Sequence, residues 1–293
     1  MQEIVTNPKK QNLLIEIGKI NTLEVMRDTD PGLYLQAKDD SEVLLPNAYV
    51  DEVEMPIGAL IDVFVYTDSE DRPIATTKMP YAKLGEFGYF TVVDYKSYGA
   101  FVNWGLLKDL FVPLSQQKEH FTIGKKYILR VCLDAQTDRL YGTQKIGKWL
   151  ERDMTGLHPN REMDLLVIAK TPLGYKVVAD NLYEGMLFSN EIFEPIQVGD
   201  RKRGFIKQVR KDFKLDISLQ KLGVKNNQDQ FEQKILTVLE ERNGSIAMTS
   251  KSDADEIVKI FAMSKKSFKR ALNSLKEKKV IDLNENGMSM KSV

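Results

Sequence analysis

Cysteine is almost absent from this chain: Cys132 is the sole example in 293 residues. That excludes an intrachain disulfide and suggests a reducing compartment. Cys132 alternates with Val131 and Leu133 in an apolar run, so a buried structural thiol is expected. Histidine is nearly as scarce, with only His120 and His158. One thiol and two distant imidazoles leave little material for a zinc cluster or a cysteine–histidine nucleophile. There is no phosphate-cradling glycine loop and no nucleophile elbow. No apolar run approaches the roughly 20 residues of a membrane helix. The start, MQEIVTNPKKQ, has neither an apolar stretch nor a cleavage pattern. The expectation is a cytoplasmic protein that is not an enzyme, needs no cofactor or metal and has no membrane partner. The acids Asp51, Glu52 and Glu54 leave a magnesium-dependent nuclease as a rival, although they read better as a surface loop.

Net charge is also lacking, since 42 basic side chains balance 42 acidic ones. The balance conceals an asymmetry. Residues 1–80 carry 7 basic and 15 acidic groups, a net of −8. Residues 81–159 carry a net of +3, residues 160–224 of +2 and residues 225–293 of +3. The first segment should repel a polyanion and the others should not.

What the sequence does have is a spacing that recurs. Gly18 to Gly32 and Gly85 to Gly99 are each 14 residues. Gly32 to Pro46, Gly99 to Pro113 and Gly174 to Phe188 are again 14. The glycines that open the fourth strand, Gly58, Gly124 and Gly199, lie 26, 25 and 25 residues after Gly32, Gly99 and Gly174. A third copy of the first glycine is missing, with Asn160 in its place. A period near 70 residues is too long for a solenoid and fits tandem copies of one folding unit.

The clearest copy is Leu84 to Gly142, which reads as five short strands. They are Phe90–Asp94, Gly99–Val102, Asp109–Pro113, Lys126–Leu133 and Arg139–Thr143. Strands of this length, broken by Gly, Asp and Asn, predict a small barrel and not a βαβ layer. The expected divisions are barrels at 1–80, 81–159 (with Ile146–Asn160 as a linker) and 160–224, then a different module at 225–293.

In that last module the period changes. Gly223–Gln228 is a polar hinge. Phe231, Ile235, Val238 and Leu239 lie at helical spacing. Ser252 is the expected N-cap of a second helix, with Asp255 in the capping-box place. Lys265–Lys278 predicts a third helix with Phe268, Leu272 and Leu275 inward. Val280–Leu283 and Met288–Met290 flank a turn. Three helices and a β-hairpin is the order of a winged helix-turn-helix.

YGAFV (98–102), DLFVP (109–113), IGKKYILRV and DRLYGT together resemble the S1 RNA-binding domain, an OB-fold barrel. Three such units followed by IFAMSKKSFKRALNSLKEKKVI are similar to the conserved virulence factor B family of Firmicute bacteria. The resemblance covers nearly the whole chain and implies a mainly β multidomain protein. Its fold would be three five-stranded barrels and a winged helix, with a role in post-transcriptional regulation of gene expression. Two departures stand out. Related domains usually carry histidine where this chain has Pro113, Pro46 and Phe188. Lys176 stands in the third copy where the second has Phe101.

The binding candidates follow from chemistry. Bases stack on aromatics exposed on an OB-fold sheet. Tyr98 and Phe101 are therefore candidates. They lie three apart, so strict alternation would put one ring inside the barrel unless the twist near Gly99 brings them together. Asp134 and Arg139, by resemblance, flank the same platform; turn chemistry is the other reading. Lys176, Arg201, Arg203, Lys207, Arg210, Lys211 and Lys214 in the third barrel are candidates for phosphate contact. Lys265, Lys266, Lys269 and Arg270 stripe the third helix, which has no Asn or Gln before Asn273 to read a base edge. The expected partner is single-stranded RNA, bound with low sequence specificity. Rivals are a DNA-binding transcriptional regulator led by the winged helix and a protein-interaction scaffold. The acidic first barrel would serve packing, a protein partner or electrostatic repulsion of duplex DNA.

Overall fold

The computed structural model describes residues 11–50, 55–221 and 226–291. The lead-in, the acids Asp51, Glu52 and Glu54, and the first part of the predicted hinge lie outside the described residues. The chain divides into two compact units, residues 1–150 and 151–293.

The first unit holds two closed barrels. Barrel one consists of β1 (Ile20–Thr29), β2 (Gly32–Gln36), β3 (Glu42–Pro46), β4 (Leu60–Thr67) and β5 (Pro73–Thr76). Barrel two consists of β6 (Phe87–Lys96), β7 (Gly99–Asn103), β8 (Leu110–Pro113), β9 (Lys126–Leu133) and β10 (Leu140–Thr143). In the second unit, barrel three consists of β11 (Glu162–Thr171), β12 (Gly174–Ala179), β13 (Tyr183–Phe188), β14 (Arg201–Val209) and β15 (Leu215–Ser218). Each barrel closes in one order: first strand, second, third, fifth, fourth, then back to the first. The third and fifth strands run parallel and the other pairs antiparallel. This is the OB-fold connection expected from the sequence.

The 14-residue spacing has a structural cause. Gly32 pairs with Pro46, Gly99 with Pro113 and Gly174 with Phe188 across the second and third strands. The interval is the register of one hairpin, repeated three times. Gly174 has φ +146°, and a Cβ there would lie 2.0 Å from the Leu187 carbonyl oxygen. Close backbone approach at this corner therefore demands glycine.

Each first strand also slips register once, between Val25 and Arg27, Val92 and Asp94, and Val167 and Ala169. Such bulges bend a long strand so that it can close a small barrel. They also interrupt strict alternation, which explains why β6 is longer than the Phe90–Asp94 read from pattern alone.

Barrels one and two share apolar contacts. Phe64 and Tyr66 of β4 lie in the same buried cluster as Trp104, Val112 and Leu129. Trp104 meets the Phe64 ring edge-on at 5.9 Å and donates from Nε1 to the Lys108 carbonyl at 2.6 Å. Trp104 is thus held both by packing and by a satisfied ring N–H.

The predicted linker divides. Ile146–Trp149 forms a single 3-10 turn, while Met154 and Leu157 pack against the core of barrel three. The winged module follows: α1 (Asn226–Glu241), β16 (Ser245–Ile246), α2 (Ala254–Phe261), α3 (Lys265–Glu277), β17 (Ile281–Asn284) and β18 (Gly287–Met290). The hinge predicted to run to Gln228 ends earlier, since α1 begins at Asn226. Ile235, Leu239, Ile257, Phe261, Phe268, Leu272 and Leu275 fill the core. The cap of α2 differs from expectation. Asp253, not Ser252, accepts from the Asp255 N–H at 2.8 Å. The Ser252 hydroxyl is already engaged, accepting from the Thr249 N–H at 2.9 Å.

Among the described residues no helix is long and apolar enough to cross a membrane. Cys132 is free and buried, and burial raises its thiol pKa.

Candidate nucleic-acid interface

Side chains on one face of a strand alternate with those facing the core. In barrel two, Ala100, Val102, Leu110 and Val112 point inward and are buried. Their neighbours Phe101 and Phe111 therefore point outward, and register aligns them. Phe101 pairs with Phe111, and Phe111 pairs with Tyr141 on β10. Three aromatic residues thus stand in a row across β7, β8 and β10.

Tyr98 joins them from the turn between β6 and β7. It is 59% exposed. Because it precedes β7, strand alternation does not govern it, which resolves the face question left open by its three-residue offset. Its ring lies 6.2 Å from Phe101, edge-on, and 5.8 Å from Phe111. Phe101 and Phe111 lie 5.3 Å apart. Gly99 makes room for this seating, since a Cβ there would lie 2.6 Å from the Phe111 ring.

These rings form one wall of an open groove of about 810 Å³, also lined by Asp71, Lys108, Asp109, Asp134, Arg139 and Tyr141. Asp134 and Arg139 are both exposed at its rim. Asp134 does perform turn chemistry: its Oδ1 accepts from the Gln136 N–H at 2.9 Å and the Thr137 N–H at 3.1 Å. Those backbone donors hold its carboxyl below the usual range. Arg139 pairs with Asp71, which belongs to the β4–β5 turn of barrel one. Lys108 donates to the Asp68 carbonyl of the same turn at 2.5 Å. Burial lowers its pKa. The acidic barrel therefore reaches the edge of this groove.

The same register places the equivalent rows of the other barrels. In barrel one the row is Tyr34, Leu44 and Ile74. Arg27 covers the Tyr34 ring at 4.1 Å and is itself clamped by both oxygens of Glu42. In barrel three the row is Lys176, Met186 and Asp216. No ring occupies any of those three places.

The basic cluster of barrel three is extensively paired. Lys176 and Lys214 flank Glu184 at 3.8 and 3.3 Å. Arg203 contacts Asp164 at 3.0 Å and Lys207 contacts Glu191. Arg210 contacts Asp212 at 3.1 Å and Asp216 at 3.7 Å. Arg201 and Lys211 are exposed. On α3, Lys265, Lys266, Lys269 and Arg270 are all exposed, on the face opposite Phe268, Ala271 and Leu272. The Ser264 hydroxyl caps this helix, accepting from the Ser267 N–H at 3.0 Å.

Phe111, Tyr141 and Asp109 are groove residues that the sequence reading did not single out. The signal was available: once Gly99 is paired with Pro113, Phe101 must face Phe111.

Comparison with known proteins adds two family matches, two curated relatives and one solved structure. A family model described as "S1 domain" matches residues 17–78, the first barrel. One described as "CvfB-like winged helix domain" matches residues 233–290. Among curated proteins, Bacillus subtilis (strain 168) YitL is 30% identical over 268 residues, covering 88% of each chain. Conserved virulence factor B of Staphylococcus epidermidis (strain RP62A) is 25% identical over 275 residues, covering 91% of this chain and 92% of that protein. Among solved structures, a multidomain protein with nucleic acid binding domains from Streptococcus pneumoniae TIGR4 is 22% identical with a TM-score of 0.42. That alignment covers 94% of this chain and 98% of the other. The S1 match falls on the first barrel, one of the two copies whose likeness rests on spacing.

Proposed function

The chain belongs to the conserved virulence factor B family, and from that premise we propose that it is a non-catalytic protein that binds single-stranded RNA. Its S1 and winged-helix domain types point to nucleic-acid binding. The finer reading rests on one observation, the row of Phe101, Phe111 and Tyr141 beside Tyr98 on an open groove. A duplex offers phosphates and groove edges to a protein surface. Only unpaired bases offer their faces to stacked rings. Exposed aromatics in a concave site beside Arg139 and Lys108 therefore favour an unpaired strand. Stacking and phosphate contact discriminate bases weakly, so specificity is low apart from any edge-reading side chain. The role would be post-transcriptional regulation of gene expression in the bacterial cytoplasm.

The winged helix supports the DNA-reading alternative less well. Its exposed α3 residues before Asn273 are lysines and one arginine, with no Asn or Gln to read adenine, and such cations serve phosphates without sequence readout. Under this reading Lys265, Lys266, Lys269 and Arg270 hold the backbone of the same polynucleotide.

Fluorescence anisotropy with labelled single-stranded RNA and duplex DNA at one salt concentration tests the reading. Tighter binding of the RNA is expected, and tighter binding of the duplex would hand the role to the rival. Incubation of labelled RNA with the protein in excess magnesium should leave it intact. Metal-dependent shortening would contradict the non-catalytic part.

A further inference from the structure

We propose that the groove of barrel two holds a guanine base, whose N1–H and exocyclic amino group donate to the Asp109 carboxylate while its ring stacks beside Phe101 and Phe111. This deepens the RNA-binding reading and rests on it.

Asp109 immediately precedes β8 and lines the groove together with Phe111. It differs from every other carboxylate nearby. Asp71 is paired with Arg139, and Asp94 with Lys96 at 2.9 Å. Asp134 already accepts from two backbone N–H groups. Asp109 has no hydrogen-bond or ion-pair partner among the described residues. It is also half-buried, and burial with the nearby Asp94 charge raises its pKa. An unpartnered carboxylate in such a place is costly until a ligand supplies donors.

The chemistry of base edges then selects the ligand. A carboxylate accepts best from two parallel N–H groups. Guanine alone presents two adjacent donors on its Watson–Crick edge, N1–H and the amino group. Adenine and cytosine each present one amino donor beside a ring-nitrogen lone pair that repels the carboxylate. Uracil presents one N–H between two carbonyl oxygens. Asp109 also repels phosphate, so the backbone would run past the cations Arg139 and Lys108 that line the same groove. Base inward and phosphate outward is the orientation that stacking on the rings requires.

The test uses the full chain and three labelled RNAs at one salt concentration. These are a short oligoadenylate, the same strand with one central guanosine, and the same strand with one central inosine, which lacks the amino group. The guanosine strand should bind about tenfold more tightly than oligoadenylate, the order expected of a bidentate contact. The inosine strand should fall between them. Asp109→Asn and Asp109→Ala should abolish the preference while still binding oligoadenylate. A cooperative thermal transition and an unchanged circular dichroism spectrum show that each variant is folded. Equal affinity for the three strands would overturn the guanine site and leave RNA binding standing. A preference that survives in the folded variants would overturn it too. Failure to bind any strand would sink both readings.

Discussion

Asp71 and Arg139, which lie 68 residues apart and in different barrels, form an ion pair at the rim of the aromatic groove. The carboxylate reaches the guanidinium because the tight β4–β5 turn of barrel one projects beside β10. Asp68 shapes that turn, accepting from the N–H groups of Glu70 and Arg72 and from the Arg72 side chain. Net acidity in barrel one is therefore not only a repulsive surface. One of its charges competes directly for a cation that an RNA phosphate would use.

Asp71→Ala should consequently strengthen RNA binding. An exposed pair of this kind contributes about 0.2–1 kcal/mol, so the gain should be roughly 1.5- to 5-fold. Anisotropy titrations of Asp71→Ala, Arg139→Ala and the double variant measure it. In the Arg139→Ala background the Asp71 substitution should gain less, because the competed cation is gone.

Phe111→Ala should weaken binding by about 1–3 kcal/mol, the usual worth of one stacked base. The residue is only partly buried, so the barrel should persist, as circular dichroism and the melting temperature would report. Phe101→Ala should act alike, whereas Tyr34→Ala in barrel one should change RNA affinity little, because Arg27 covers that ring. Equal losses from all three would argue against a platform confined to barrel two.

Arg210→Glu combined with Lys214→Glu probes the third barrel through salt dependence. If these cations leave their carboxylates for phosphates, the slope of log affinity against log salt should flatten by roughly 0.7 per lost contact. Titrations across a range of salt concentrations measure it, and an unchanged slope would put barrel three outside the footprint. Lys266→Glu with Arg270→Glu on α3 makes the matching test of the winged helix.

Asp109 carries a pH signature of its own. Its carboxyl pKa is raised in the folded state, so the folded protein binds the proton more tightly than the unfolded chain. The favourable term is present below the unfolded carboxylate value and is lost as pH rises through the folded one. Ionised Asp109 thus costs stability at neutral pH. Asp109→Asn should raise the melting temperature at pH 7, and the difference should shrink toward pH 3. A variant less stable than the parent at pH 7 would show that the carboxylate has a partner in the fold.

Much of this architecture was legible in the sequence because barrel closure is written in spacing. The glycine–proline interval specified the hairpin register, and β-branched runs between turn residues specified the strands. The helical module was readable from Phe268, Leu272 and Leu275. What the pattern hid has physical causes. The bulge at Val92 and Asp94 broke alternation and shortened the reading of β6. The Asp71–Arg139 contact joins two folded barrels, and no local pattern reports such a meeting. The ion pairing of Lys207 and Lys214 was equally hidden, since a run rich in lysine and arginine says nothing about acids arriving from Glu191 and Glu184. Asp109 was read only as the first residue of the strand Asp109–Pro113, whereas β8 begins at Leu110, and no local pattern reports that its carboxylate lines a groove.

The thrice-repeated glycine corner has an evolutionary reach. Since Gly99 and Gly174 anchor the same hairpin, positions 176 and 186 stand where 101 and 111 stand, and the side chains at these places point away from the barrel core. Ligand capacity is thereby uncoupled from foldability. A module of this kind can gain or shed its stacking rings by two outward substitutions, which lets tandem copies diverge in chemistry while their scaffold stays the same.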